Sequence, residues 1–98
     1  MLDSIENALQ AILEDKSYPI GEKVYTKSDR RELELMYQLY SIEVALSKIL
    51  LGAQEYSIGP RRFKRADVAN LRQERRELEV RLSRFERGGM RVRQGVPN

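Results

Sequence analysis

The fold of this chain depends on a line of sequence that occurs twice, as YPIGEKVYTKSD over Tyr18–Asp29 and as YSIGPRRFKRAD over Tyr56–Asp67. Four of the twelve positions are identical, and they are Tyr, Ile, Gly and Asp in the same order. Internal repeats change the expected architecture of a chain, so we interpret the sequence as one supersecondary unit written twice. In this interpretation residues 8–29 correspond to residues 46–67.

Each copy of the line has the features of a tight β-hairpin. Gly21 and Gly59 follow short β-prone runs and suit the first central position of a type II′ turn. Pro60 suits the second central position, where φ is close to the value that its ring imposes. The match extends upstream in the same register, where Ala11-Ile12-Leu13 aligns with Ile49-Leu50-Leu51.

Hydrophobic periodicity predicts helices before, between and after the two hairpins. The first covers about residues 3–15, with Asp3 as its N-cap. The second covers about residues 27–53, with Thr26 as its cap and Gly52 at its end. It carries two apolar stripes, which is typical of a helix packed between two neighbours. The stripes are Leu35, Leu39, Ile42, Leu46 and Ile49, and Leu33, Met36, Tyr40, Val44 and Leu51.

The third helix covers about residues 65–87 and is predicted to stop at Gly88-Gly89. Residues 90–98 lack periodicity and are predicted to form a flexible, basic C-terminal arm. The fold class is therefore mainly α with small β-hairpins (α+β), in the order helix–hairpin–helix–hairpin–helix. Residues 1–89 form a single domain around a shared, long central helix.

Composition disfavours most catalytic chemistry. The 98 residues include neither Cys nor His, which removes thiol chemistry and the commonest general base and metal ligand. We therefore expect no enzyme activity, no cofactor and no metal site. No apolar run suits a membrane span, and the acidic N-terminus does not look like a signal peptide.

Charge is distributed unevenly along the chain. Residues 1–60 hold 6 Lys/Arg and 10 Asp/Glu, a net charge of −4, whereas residues 61–98 hold 12 and 5, a net charge of +7. A subunit polarised in this way can stack head to tail on its own copies, or direct its basic end at phosphates or an acidic protein. A solvated helix that only keeps the protein soluble is the simpler alternative.

The candidate contact residues surround Phe63. Strand geometry places Phe63 and Arg61 on one face and Arg62 and Lys64 on the other. These cations could contact DNA phosphates without sequence preference, pair with carboxylates on a protein ring, or form a charged loop of no special role. The full candidate set is Arg61, Arg62, Lys64, Arg65, Arg91 and Arg93.

Residues 55–98 resemble the small gpW-like head–tail joining proteins of bacteriophages. The resemblance rests on the hairpin YSIGPRRF, the helix entry KRAD, the following leucine-rich helix and the tail MRVRQGVPN. It implies a structural adaptor without catalytic activity that forms a ring, typically dodecameric, beneath the portal. Such a ring helps to retain packaged DNA and presents a platform for another neck or tail protein. The implied location is the neck of the virion, and the host cytoplasm during assembly.

The resemblance also implies roles for particular cations. Arg61, Arg62, Lys64 and Arg65 would face a neighbour or the channel, and the tail with Arg91 and Arg93 would insert toward the portal or an adjacent subunit. This chain departs from the gpW-like proteins in its number of predicted hairpins, because those proteins have a single hairpin and this chain has two.

Two alternatives remain open at this stage. One is a small DNA-binding regulator that uses the basic third helix, and the other is a plain helical dimerisation module. Glu74, Glu77 and Glu79 are interleaved with the arginines of the third helix, which favours intrahelical ion pairs over a phosphate-binding surface.

Overall fold

The computed structural model describes the backbone of residues 1–94 and the side chains of residues 1–85. Three helices alternate with two antiparallel hairpins, which confirms the α+β class predicted from the sequence. In chain order the elements are α1 (Leu2–Leu13), β1 (Tyr18–Ile20), β2 (Lys23–Tyr25), α2 (Arg30–Leu50), β3 (Glu55–Ile58), β4 (Arg61–Lys64) and α3 (Val68–Gln94). A short 3-10 turn precedes α2 (Lys27–Asp29) and another precedes α3 (Arg65–Asp67).

Both hairpins close through the glycines that the sequence indicated. Gly21 has φ +63° and Gly59 has φ +58°, and both stand at the first of two central positions. Positive φ does not occur at Glu22 or Pro60, so each turn has the pattern of a type II′ turn. The two-residue loops fix the register, with Ile20 opposite Lys23 in the first hairpin.

The helices bury their apolar residues in two separate cores, one around each hairpin. The first core contains Ile5, Ala8, Ile12, Tyr25 and Leu33. The second contains Leu35, Leu39, Ile42, Ala45, Leu46, Ile49, Phe63, Leu71 and Leu78. Because α2 supplies residues to both, it is the shared central helix that its two stripes predicted.

Three predicted apolar contacts are wrong. Periodicity predicts an apolar stripe of Ile5, Leu9, Ile12 and Leu13 in the first helix and places Leu51 on a stripe of the second, but the side chains of Leu13 and Leu51 are 65% and 82% exposed. Leu13 is the last residue of α1 and Leu51 is the C-cap of α2, so both lie where a helix ends. The periodicity of the third helix also predicts an apolar seam of Val68, Leu71, Leu78, Leu82 and Phe85, but Phe85 is 40% exposed although it lies inside α3.

The structure shows that the helical part of the repeat is offset by 37 residues and not by 38. SIENALQAIL over residues 4–13 corresponds to SIEVALSKIL over residues 41–50, with seven of ten positions identical. Ile5, Ala8 and Ile12 are buried in the first core as Ile42, Ala45 and Ile49 are in the second. The predicted alignment of Ile12 with Leu50 is therefore wrong by one residue.

The change of register has a visible origin in the loops that follow the helices. After α1 the amides of Asp15 and Lys16 bond to Ile12 and Ala11, and after α2 those of Gly52 and Ala53 bond to Ile49 and Lys48. This is the Schellman motif at both ends, with Asp15 (φ 59°) and Gly52 (φ 123°) in the left-handed position. The first hairpin's Tyr18 follows Asp15 by three residues, whereas the equivalent Tyr56 follows Gly52 by four, so the second loop is one residue longer.

The predicted helix ends are partly correct. Gly52 ends α2 as expected, and the backbone amide of Thr26 donates to Asp29 Oδ2 at 2.9 Å, closing a capping box before α2. Asp3 is not an N-cap, because α1 begins one residue earlier and Met1 occupies that position.

The predicted stop of the third helix is wrong. Helix α3 passes through Gly88-Gly89 and ends at Gln94. Glycine lowers helix stability by about 1 kcal/mol relative to alanine but does not exclude helical backbone angles. Residues 90–94 of the predicted arm therefore continue α3, and residues 95–98 lie outside the described residues.

Candidate interaction surfaces

The strand β4 divides its side chains between the core and the outside, as the alternation predicted. Phe63 is 1% exposed and anchors the hairpin in the second core. Arg61 is half-buried on the same side, and Arg62 and Lys64 are exposed on the other. The four-cation cluster is therefore not one continuous patch.

Arg61 is held by its own chain. Its guanidinium donates two hydrogen bonds to the Glu74 carboxylate on α3, at 2.9 and 2.7 Å, and lies 4.6 Å from the Phe63 ring centroid. The hydrogen bond to Glu74 raises the pKa of Arg61 above its ordinary value, against the opposing effect of burial. The same bond lowers the pKa of Glu74. Arg61 thus fastens β4 to α3, and its contact with a partner remains a prediction.

Arg65 also has an internal role. Its guanidinium donates to the backbone carbonyl of Ile49 at 2.7 Å, near the end of α2. The Ile49 carbonyl also accepts from the Gly52 amide, so Arg65 is its second donor, and a cation at this end of a helix opposes the negative end of the helix dipole. Arg65 therefore joins the entry of α3 to the end of α2.

Arg62 and Lys64 are the outward members of the predicted set. Arg62 lies 3.3 Å from the Glu55 carboxylate, in a pair whose side chains are 65% and 54% exposed. Such a pair is weak in water and can be exchanged for a partner's carboxylate at small cost. Lys64 forms no ion pair with another of the side chains described.

The first hairpin has an equivalent fastening built from other residues. Lys23 lies 4.7 Å from the Tyr25 ring centroid and donates to Glu32 Oε1 on α2 at 2.8 Å. Burial alone would lower the pKa of Lys23, but the hydrogen bond and charge of Glu32 raise it. Burial, with Glu32 nearby, raises the pKa of Tyr25. We call this arrangement of cation, aromatic ring and carboxylate the hairpin clamp.

Comparison with known protein families finds a match for the larger part of the chain. A family model described as a family of unknown function, DUF6148, matches residues 34–98, which is more than half of the chain. The chain belongs to DUF6148. No curated protein and no solved structure matches it.

The DUF6148 match begins within α2 and includes the second hairpin and α3, but not α1 or the first hairpin. The second clamp and the outward cations Arg62 and Lys64 thus lie inside the family region. Arg91 and Arg93 also lie inside it, in the backbone of α3, and their side chains are outside the described set.

Sequence reasoning missed an exposed surface on α3 that flanks its buried leucines, and two of its residues, Arg81 and Arg84, also line a cavity with Arg31 and Leu35 of α2. We call it the α3 outer face. It forms a groove of ≈ 400 Å³ that contains one apolar residue, Val80, which is 46% exposed. The α3 outer face consists of Arg76, Glu77, Val80, Arg81 and Arg84. An alignment of the α3 sequence with the α2 sequence at an offset of 38 residues would have indicated this surface. In that alignment the exposed Val80 takes the position of Ile42, which is buried.

The cations of α3 do not pair along the helix as the interleaved charges predicted. Among the side chains described, the one ion pair that reaches α3 is that of Glu74 with Arg61. The i, i+4 pair of Glu77 and Arg81 is not formed within 4 Å. The arginines of the α3 outer face therefore remain available to a partner.

Groups of three or more side chains that could hold a metal ion do not occur among the described residues. A cavity of ≈ 470 Å³ between the first hairpin, α2 and α3 contains the carboxylates Glu32 and Glu79, but Glu32 is already engaged by Lys23. None of the helices in residues 1–94 has the length and apolarity that crossing a membrane requires.

Proposed function

We propose that this protein is a structural part of a bacteriophage head–tail connector, which forms a ring beneath the portal. The observation that carries the proposal is the second hairpin. Its inner side is fixed by Phe63 and by the Arg61–Glu74 clamp, while its outer side presents Arg62 and Lys64. A short hairpin held in this way can present charge to a neighbour without a large ordering cost.

The resemblance of residues 55–98 to gpW-like proteins supplies the biological context of the proposal. The helix–hairpin–helix order expected from that resemblance is present in α2, β3–β4 and α3. In the proposed role the ring has twelve copies, as is typical of gpW-like proteins, and it contacts the portal above and a neck or tail protein below. It would help to retain DNA through nonspecific phosphate contacts and would act in the virion neck after assembly in the host cytoplasm.

Charge reversal on the second hairpin tests the portal contact. The variant Arg62→Glu/Lys64→Glu changes two exposed side chains and leaves Phe63 and Arg61 in place. We expect it to lose stoichiometric co-sedimentation with the portal protein encoded in the same genome. A matched control is Lys27→Glu/Arg30→Glu, which makes the same change of charge at two exposed positions around the beginning of α2.

The control variant should bind the portal as the wild type does. If the wild type itself does not sediment with the portal at any ratio, the connector proposal is wrong. If both double variants lose binding equally, net charge and not the hairpin mediates the contact.

A DNA-binding regulator is the second candidate. The arginines of the α3 outer face favour it, because they form no ion pair with another described side chain. Nonspecific phosphate contacts make affinity fall steeply with salt. We expect the wild type to bind short duplex DNA weakly and without sequence preference. Tight protection of one sequence, together with indifference to the portal, would support the regulator instead.

A further inference from the structure

The internal repeat shows how one helix of this fold receives the next. In the first unit α1 presents Ile5, Ala8 and Ile12 to the beginning of α2. In the second unit α2 presents the corresponding Ile42 and Ala45 to the beginning of α3. The central helix α2 therefore has one face toward the preceding helix and another face toward the following one. Within the described chain, α3 has no following helix and α1 has no preceding one.

The α3 outer face is the position at which a following helix would pack. At an offset of 38 residues, Val80 corresponds to Ile42 and Arg84 corresponds to Leu46, both of which are buried in α2. In α3 the same positions are exposed and are flanked by Arg76 and Arg81. Three arginines and one glutamate around an exposed valine give this face a net charge of +2.

The opposite end of the repeat has a complementary surface on α1. Tyr40 and Val44 of α2 lie beside the N-terminal residues of α1, and at an offset of 37 residues they correspond to Asp3 and Asn7. The exposed side of α1 opposite its buried residues is acidic, and α1 contains no Lys or Arg. We call this side, made of Asp3, Glu6, Asn7, Gln10 and Glu14, the α1 outer face.

We propose that the α3 outer face of one copy binds the α1 outer face of a second copy, continuing between chains the helix-to-helix packing of the internal repeat. The proposal rests on the proposed function, because it names the surfaces through which the ring would form. The contact is heterologous, so its repetition closes a ring or extends a filament. The α1 side carries three carboxylates, one of which, Glu14, lies 3.5 Å from Lys16, and the α3 side has a net charge of +2. This complementarity favours a second copy over a neutral helix.

The test uses two variants that each disable one side of the contact. Arg81→Glu/Arg84→Glu makes the α3 outer face acidic, and Asp3→Lys/Glu14→Lys makes the α1 outer face basic. Each variant alone then opposes like charges across the contact. In a one-to-one mixture the two contacts between unlike variants again join opposite charges. The acidic α3 outer face of one variant meets the basic α1 outer face of the other, and the two unchanged faces also attract each other.

We expect sedimentation equilibrium of the full chain to show self-association of the wild type. Each variant alone should associate at least about 100-fold more weakly, since close interfacial charge pairs contribute several kcal/mol. The mixture should recover to within about tenfold of the wild type. Lys27→Glu/Arg30→Glu is the matched control, and circular dichroism checks that every variant is folded.

Several results would overturn the inference. If the wild type associates and Arg81→Glu/Arg84→Glu associates equally well, the contact lies elsewhere, although the ring proposal survives. If the mixture does not regain self-association, the contact also lies elsewhere and the ring proposal again survives. If the α3 variant loses only affinity for duplex DNA, the face binds phosphates and not a second copy. If the wild type neither self-associates nor binds the portal, the proposed function fails with the inference.

Discussion

The two hairpins share their inward side and differ in their outward side. Tyr25 and Phe63 occupy the same position and are both buried, and each lies beside a cation that reaches a glutamate on the next helix. On the outside, Pro19 pairs with Val24 in the first hairpin, whereas Ser57 pairs with Arg62 in the second. The repeat thus keeps the residues that fold the unit and varies those that a partner would contact.

The clamps also differ in how far they reach. Lys23 contacts Glu32 in the first turn of α2 through one nitrogen, while Arg61 contacts Glu74 farther along α3 through two. A guanidinium can bind a carboxylate with two parallel hydrogen bonds, and an ammonium cannot. We infer that the second hairpin is the more firmly fastened of the two, which suits the hairpin whose outer side carries the cations.

Removing the aromatic anchors should give the largest effects. Phe63→Ala should lower the free energy of unfolding by about 3–5 kcal/mol, because it leaves a cavity in the larger core. Tyr25→Ala should cost less, since Tyr25 is 6% exposed and belongs to the smaller core. Urea denaturation measures both values, and a larger loss for Tyr25→Ala would reverse the ranking of the two units.

Substituting the turn glycines should have the next largest effect. Gly21→Ala and Gly59→Ala should each cost about 1–2 kcal/mol, because both positions have positive φ. The two costs should be similar, since a Cβ at Gly59 would make an ordinary van der Waals contact with the Tyr37 hydroxyl at 3.4 Å and one at Gly21 would meet nothing within 4 Å. Thermal unfolding compares the two variants, and no loss at either position would contradict the observed turns.

The carboxylates of the clamps provide a smaller and pH-dependent difference. Glu74→Gln should cost about 1 kcal/mol at neutral pH, a value limited by solvent screening because the pair is more than one-third exposed. Since the pKa of Glu74 is lowered in the folded protein, its stabilisation is fully present above the ordinary pKa of 4.5 and is lost as the pH falls through the lowered value. Unfolding free energies measured from pH 7 downward should therefore decline less steeply in Glu74→Gln than in the wild type.

Glu32→Gln is the matched change in the first clamp. We expect it to cost less than Glu74→Gln at neutral pH, because Lys23 makes one hydrogen bond and not two. A greater loss for Glu32→Gln would show that the first clamp is the stronger one.

The smallest expected effect distinguishes two equivalent serines. Ser41 is buried, and its hydroxyl has no hydrogen-bond partner among the described residues, whereas the corresponding Ser4 is half-buried. Ser41→Ala should be neutral or should stabilise the protein by up to about 1 kcal/mol, because it removes an unsatisfied polar group. Ser4→Ala should change the unfolding free energy by less than about 0.5 kcal/mol. A clear loss on Ser41→Ala would reveal a partner for its hydroxyl.

Local chemistry made the hairpins and the central helix predictable from the sequence. A glycine at a two-residue turn and the double stripe of α2 each specify a structure with few alternatives. The helical register of the repeat was less accessible, because one added loop residue shifts the alignment between Ile49 and Tyr56. The predicted stop at Gly88-Gly89 was wrong because the free-energy cost of glycine in a helix is modest and does not by itself fix where the helix ends.

The candidate site was predictable only in part. Strand alternation identified Phe63 as buried and Arg62 and Lys64 as exposed, which the structure confirms. It could not reveal that Arg61 binds Glu74 or that Arg65 binds the carbonyl of Ile49, because those partners are set by how α2 and α3 pack. The α3 outer face was missed for the same reason, since exposure of Val80 depends on the absence of a following helix among the described elements.

Electron microscopy of the purified protein mixed with the portal protein of its own genome tests the connector proposal most directly. We expect class averages with extra density arranged as a closed ring on one end of the portal, at a fixed ratio of chains to portal subunits. Portal particles that remain unchanged at every ratio, beside a protein that stays monomeric, would contradict it.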